Sequence, residues 1–184
     1  MRIIAGKFKA KKLLQPASSD VRPTKDFVKE TIFNMLTHLV DLEQPLHVLD
    51  LFAGSGSLAL ETISRWNASA VFVDNNMQSI NTIVANLQSI NQKNLHLVIN
   101  HDATSVNLES LKVKFNIIFI DPPYNSNLVC ESLSNIINQK LFQHNVLFVI
   151  ETDRDLKIDF LHEISCKKIG ITFLKIYNLQ NNSL

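Results

Sequence analysis

The chain is poor in the residues that build covalent or metal-held scaffolds. Its 184 residues include two cysteines, Cys130 and Cys166, with neither pairing nor metal-ligand spacing. Both are expected to be ordinary packing residues of a helix or strand in a reducing cytoplasm. Six scattered histidines (His38, His47, His96, His101, His144, His162) form no H-x-x-x-H set, so no metal site is expected. No apolar run approaches the roughly 18 residues of a membrane span. The N-terminus lacks an apolar signal region, so a cytoplasmic protein with no membrane partner is expected. Net charge is also slight, at +1. What remains is a hydrophobic content of 46%, enough for one monomeric globular domain with a sizeable core and a small appendage.

Against that background, Asp121-Pro122-Pro123-Tyr124 stands out, directly after the apolar, strand-like run Phe115–Ile120. Proline has no N–H for a ladder and restricts the residue before it, so the strand must stop there. The carboxyl edge of an open α/β sheet is where ligands bind. A rigid, acceptor-rich loop carrying a carboxylate and an aromatic ring suits a planar base with an exocyclic amine. The alternative is an ordinary proline turn with Tyr124 packing on the loop.

A second motif lies about seventy residues upstream, His47-Val-Leu-Asp-Leu-Phe-Ala-Gly54-Ser-Gly56-Ser-Leu-Ala59. A strand enters a glycine turn and leaves as a helix over 57–66, with Ala59 in the third small position of a G-x-G-x-x-G/A pattern. Asp74 closes the next strand eighteen residues after Gly56, where an acid can bind ribose hydroxyls. The pattern points to a nucleoside-containing cofactor. Asp50, four residues before Gly54, would repel a pyrophosphate at the helix N-terminus but suits a ligand with cationic groups. S-adenosylmethionine, with a sulfonium and an amino group, is therefore favoured over a dinucleotide. The competing role for Asp50 is to cap the N–H groups of its own loop.

Charge is unevenly spread. Residues 1–29 hold eight basic residues (Arg2, Lys7, Lys9, Lys11, Lys12, Arg22, Lys25, Lys29) against Asp20 and Asp26, a net +6 that leaves −5 for the rest. Lys7, Lys9 and Lys11 alternate with Phe8 and Ala10 and would share one face of a β-ribbon, a phosphate track or else a lysine-protected edge.

The periodicities predict a β-hairpin of residues 2–5 and 8–14 around Gly6-Lys7, a loop over 15–23, and a helix from Lys25 to about Leu39 capped by Thr24. Strands over 46–51, 70–74, 95–100, 115–120 and 145–151 then alternate with helices over 57–66, 77–91, 104–111 and 128–140. Such alternation implies parallel strands joined by right-handed crossovers. A short helical turn at 154–160 and strands over 162–169 and 171–179, joined at Gly170, would end the chain in an antiparallel hairpin. The expected fold is α/β, a Rossmann-like class I methyltransferase: a mostly parallel seven-stranded sheet with an antiparallel last strand. An N-terminal β-hairpin arm and loop (1–23) would precede a methyltransferase domain (24–184).

Nearly end to end, the chain resembles the bacterial 16S rRNA guanine-N2-methyltransferases. The likeness rests on Arg2-Ile-Ile-Ala-Gly6, Arg22-Pro-Thr24, Lys29-Glu30, Phe33-Asn34, Leu49–Ser57, Glu61, Ser64-Arg65 and Asp121–Tyr124. It departs where the family's glycine after Ser64-Arg65 is Trp66, and where the arm's usual Gly-Arg is Ala10-Lys11. The second change weakens any bidentate phosphate contact there. The resemblance implies that Asp50 and the Phe52, Gly54, Ser55, Gly56 turn line the methionine end of S-adenosylmethionine, and that Asp74 holds the ribose. Asp102 with Ala103 would face the adenine amine, unless Asp102 instead caps the 104–111 helix. Asp121 and the Pro122 carbonyl would hold the guanine N2 amine, with Tyr124 stacked on the base. Arg2, Lys7, Lys9, Lys11 and Arg22 would meet 16S ribosomal RNA within the small subunit. A DNA or RNA adenine/cytosine amino-methyltransferase would share both motifs. A nicotinamide oxidoreductase would share only the glycine turn and Asp74.

Overall fold

The computed structural model describes residues 1–16, 24–92, 96–123 and 127–179. Arg22 and its loop, the side chain of Thr24, and Tyr124 lie outside the described residues. In chain order the elements are α1 (Thr24–Leu36), β1 (His47–Leu51), α2 (Ser57–Trp66), β2 (Ser69–Asp74), α3 (Met77–Ser89), β3 (Leu97–Asn100), β4 (Phe115–Ile120), α4 (Leu128–Asn138), β5 (Phe142–Thr152), β6 (Leu161–Ile169) and β7 (Thr172–Leu179). They form one seven-stranded sheet, β3-β2-β1-β4-β5-β7-β6, parallel through β5. β7 lies between β5 and β6 and is antiparallel to both, as expected for the last strand.

Strand alternation sorts the core. Val48 of β1, Ala70 and Phe72 of β2, and Ile117 and Phe119 of β4 pack with α1, α2, α3 and the arm residues Ile3 and Leu13. Leu49, Leu51, Val71, Val73, Ile118 and Ile120 join the opposite cluster with Val129, Leu133 and Ile136 of α4. A parallel strand apolar on both faces is what a doubly covered sheet requires. Among the described residues no helix is long and apolar enough to cross a membrane.

Three local expectations give way to tertiary hydrogen bonding, and a fourth element ends early. The 2–5/8–14 hairpin reduces to a single bridge, Arg2 to Lys12, with turns between. Ile3, Ala10 and Leu13 N–H still bond across it, to the Lys11, Ile3 and Met1 carbonyls, but others leave the ribbon: Ile4 and Ala5 donate to the Glu61 carboxylate (2.7 and 2.9 Å), Lys7 to the Ser64 carbonyl (2.7 Å) and Phe8 to Ser64 Oγ (2.9 Å). The 104–111 helix is a short 3-10 turn at Glu109–Leu111. Asn135 and Gln139 of α4 satisfy this segment directly, donating to the Val106 carbonyl and accepting from Leu108 N–H, so it needs no helix of its own. No helix forms over 154–160 either, because the Leu156 carbonyl is taken by Lys175 Nζ (2.9 Å) and the Tyr177 hydroxyl (2.8 Å). Finally, α1 stops at Leu36 and leaves Leu39 exposed. Cys130 and Cys166 are exposed rather than packed, on the outward side of α4 and on the edge strand β6.

Gly6 explains how the arm meets the body. Its φ is +82°, and a Cβ there would lie 1.9 Å from the Ser64 carbonyl oxygen, so only glycine fits against the end of α2. Ala10 holds a similar left-handed φ of 68° without that freedom. Trp66 closes α2 by packing at a tilt against Phe33, with ring centroids 5.5 Å apart, and Asn67 takes the left-handed C-cap at φ 53°.

Candidate active site

Strand parity brings carboxylates together at one edge of the sheet. Asp50 shares the parity of Val48, Asp74 that of Phe72, and Asp121 that of Phe119, all on the α1–α3 face. Glu151 follows Val149 by the same count along β5. Asp74, Asp121 and Glu151 open into one cavity of about 770 Å³. The loop residues Phe52–Ser55, Asn75, Asn76 and Ser79 also line it, as do Val28, Lys29 and Ile32 of α1 and the β6–β7 turn.

The loop after β1 is held open by backbone geometry. Phe52, Gly54 and Gly56 all adopt left-handed φ, 59°, 57° and 75°. Such a φ costs a phenylalanine roughly 1–2 kcal/mol, a local strain of the kind found at ligand-holding loops. Asp74 braces the turn, accepting Gly54 N–H and Asn76 N–H at 2.8 Å each through its two oxygens. Gly56 sits where a Cβ would come within 2.9 Å of the Phe72 ring, so its small size lets α2 pack on β2. Being glycine, it gives α2 no side-chain cap. Asp50 supplies one from the strand, with Ala59 N–H donating to its Oδ2 at 3.2 Å.

Asp50 therefore does cap the loop's helix, yet its electrostatics are unbalanced. It is 2% exposed. Burial pushes its carboxyl well above the usual carboxylate range, and the Asp121 and Asp74 charges push it further, against the pull of Ala59 N–H. A cation placed next to it would be strongly favoured. Lys29 is also buried, but its ammonium faces Glu61 and the Arg2 carbonyl. Its pKa is lowered by that burial, which outweighs the pull of Glu61.

The structure sorts the sequence-derived residues. Phe52, Gly54, Ser55, Asp74, Ala103, Asp121 and Pro122 line the common cavity. Asp50 and Gly56 lie behind it, as buried supports of the loop. Asp102 is exposed and next to the lining residue Ala103, and Thr104 donates to its Oδ1 from both N–H (2.8 Å) and hydroxyl (2.7 Å), which holds its carboxyl below the usual range. Arg2 is exposed and faces Asp26 at 3.6 Å. Lys7 sits at the far end of α2, bonded to Ser64, whereas Ser57 at the near end lines the cavity. Seven helical residues separate them by about 10 Å. Lys9 and Lys11 border a groove with Ser89–Asn91 beyond the distal end of α3. Residues not singled out from sequence include Glu151, Thr172 and Ile32. The alternation along β5 and β7 carried the signal for the first two. Ile32 was legible only as a core stripe.

A family described as conserved hypothetical protein 95 matches residues 1–178. The ribosomal RNA small subunit methyltransferase D of Escherichia coli K12 is 33% identical over 83% of this chain and 75% of its own length. Its counterpart from Haemophilus influenzae is 31% identical over 99% and 94%. Among solved structures, the yhhF protein from Escherichia coli superposes with a TM-score of 0.81 at 28% identity, covering 98% of both chains. The N-terminal domain of human METTL16 in complex with SAH gives 0.67 at 10% identity over 92% of this chain and 76% of that one, a likeness of fold alone.

Proposed function

The chain belongs to the conserved hypothetical protein 95 family, with an S-adenosylmethionine-dependent methyltransferase fold, and on that premise we propose that it methylates the exocyclic N2 amine of a guanine in 16S ribosomal RNA. The observation that carries this reading is the shared cavity of Asp121–Pro123, Asp74 and the 52–55 loop. A loop suited to hold an amine and a loop suited to hold a nucleoside line one cavity, which supports this reading, as does the relatives' name, ribosomal RNA small subunit methyltransferase D.

The residues present fit the cofactor. Asp50 is a buried carboxylate whose one hydrogen bond among the described residues comes from a backbone N–H, which leaves its charge for a cationic ligand nearby. The Phe52–Ser55 backbone would hold the methionine end, Asp74 the ribose, and Ala103 the adenine. S-adenosylmethionine supplies the methyl group as an electrophilic carbon on sulfonium. This chain's part is to present the nucleophile. A guanine N2 lone pair is delocalised into its ring. The Asp121 carboxylate and the Pro122 carbonyl would accept the amine hydrogens, localise the lone pair and aim it. Asp121 would then receive the proton that the nitrogen sheds. Such positioning and electrostatic aim need no covalent enzyme intermediate. Tyr124 would stack on the base. Arg2, Lys7, Lys9, Lys11 and Arg22 would meet phosphates away from the target, on the assembled or assembling subunit in the cytoplasm.

The test is Asp121→Ala, assayed by methyl transfer to small-subunit particles and by nucleoside analysis of the product. Turnover is expected to fall by roughly two orders of magnitude or more, with cofactor affinity little changed. Near-normal turnover, or a product methylated on adenine or cytosine, would overturn the reading.

A further inference from the structure

We propose that the tip of the β6–β7 hairpin is a nucleic-acid wedge: Ile171 enters the RNA base stack beside the methylated nucleotide while Lys167 and Lys168 hold the flanking phosphates. This deepens the function proposed above and rests on it.

Topology puts the tip at the right edge. β7 runs antiparallel to β5 with Phe173 opposite Thr152, so its first residues stand at the carboxyl end of β5, where Asp121 and Glu151 also lie. Ile169, Gly170, Ile171 and Thr172 accordingly line the same cavity. The tip also projects freely. Gly170 turns at φ 59°, and a Cβ built there would meet nothing within 4 Å.

The chemistry of the tip is that of a wedge. Ile171 is 64% exposed, more than any other large apolar side chain among the described residues, although Leu174 and Ile176 on the same hairpin are fully packed. Other exposed apolar residues adjoin cavity-lining positions: Leu14 precedes Gln15, Phe27 precedes Val28 and Met77 follows Asn76. Exposed apolar residues thus adjoin the lining in sequence, and Ile171 itself belongs to it, which suits bases that have lost a stacking neighbour. A base must leave its stack to reach Asp121, and an inserted apolar side chain fills the gap. The charge of the tip suits a polyanion. From Ile164 to Leu179 there are three lysines and no acidic residue. Lys175 is buried against Asp155 and Glu163, which leaves Lys167 and Lys168 facing solvent. Lys168 lies over the Phe173 ring, 4.8 Å from its centroid.

The experiment compares wild type, Ile171→Ala, Ile171→Leu, Lys167→Ala/Lys168→Ala and the remote exposed control Leu42→Ala. All are assayed for methyl transfer to particles and to protein-free RNA, for S-adenosylmethionine binding by calorimetry, and for melting temperature. Ile171→Ala should lower kcat/KM about tenfold or more while cofactor affinity stays within about twofold and melting is unchanged, because each base step lost from a stacking platform is costly. Ile171→Leu should recover most of the loss. The double lysine variant should reduce the slope of log affinity against log salt by about 1–2. Wild-type kcat/KM in Ile171→Ala would overturn the wedge, as would an equal loss of cofactor affinity. A defect on particles with full activity on protein-free RNA would assign the tip to a protein contact and overturn it too. A wild-type enzyme that transfers no methyl group to RNA would instead remove the underlying function.

Discussion

Two buried acids on the same face of the sheet are treated in opposite ways. Glu61, midway along α2, is 0% exposed and fully compensated: it accepts Ile4 and Ala5 N–H, pairs with Arg65 Nε at 2.8 Å and faces Lys29 Nζ at 3.3 Å. Asp50, 2% exposed, accepts Ala59 N–H and lies close to two more carboxylates, Asp74 and Asp121, with no cation against it among the described residues. A buried charge that is paired and hydrogen-bonded holds structure together. One left without a counter-charge favours a cationic ligand. The contrast separates a clamp that locks the N-terminal arm onto α2 from a site that completes itself on binding.

Breaking the clamp should have the largest effect. Glu61→Gln leaves the Lys29 ammonium buried without its counter-charge, an expected loss of about 3–5 kcal/mol in denaturant unfolding. The pH dependence has a definite sign. Burial lowers the folded-state pKa of Lys29 below its ordinary value of 10.5, so the folded state binds fewer protons than the unfolded one. The loss in the variant should therefore shrink as pH rises above neutral toward the unfolded value. A variant as stable as wild type at neutral pH would mean that Glu61 is no clamp.

Asp50→Asn tests the other side. The amide oxygen can still accept Ala59 N–H, so the cap survives while the charge is lost. S-adenosylmethionine affinity is expected to weaken by about 1–3 kcal/mol. The fold should be at least as stable. Burial raises the folded-state pKa of Asp50, so wild-type stability falls as pH climbs above the ordinary value of 3.8, and the advantage of the variant should grow over that range. Titration calorimetry and thermal melts at several pH values check both halves. Lost stability with intact cofactor binding would make Asp50 a cap and nothing more.

The smallest effect sharpens the clamp. Ala10 sits at φ 68°, where glycine is relaxed. Ala10→Gly should stabilise the protein by up to about 1 kcal/mol, less the added freedom of the unfolded chain. No gain in melting temperature would mean that the arm's neighbours already absorb the strain.

Much of this was legible in the residues. The period of two in the strands and the Asp50, Gly54–Gly56, Asp74 and Asp121-Pro122 punctuation are local signals, and they led to the sheet, the loops and the cavity. Other features were not legible. Asp102 was expected to face the adenine or to cap the segment after it, and only the structure shows that Thr104, two residues on, donates twice to its Oδ1. The lysines at 7, 9 and 11 alternate as if on a ribbon. Glu61 and Ser64, more than fifty residues away, draw several of the arm's N–H groups out of that pairing and carry Lys7 to the far end of α2.

Sequence by itself determined which residues alternate, where glycine and proline interrupt the chain, and hence which strands end in carboxylates, because these are properties of neighbouring φ and ψ. Tertiary structure alone decided which carboxylate is compensated and which is left for a ligand. It also decided which lysines stand near the cavity and that the last hairpin brings Ile171 to its mouth. Those outcomes depend on partners tens of residues apart, and a buried polar group takes whichever partner the packed chain brings within hydrogen-bond reach.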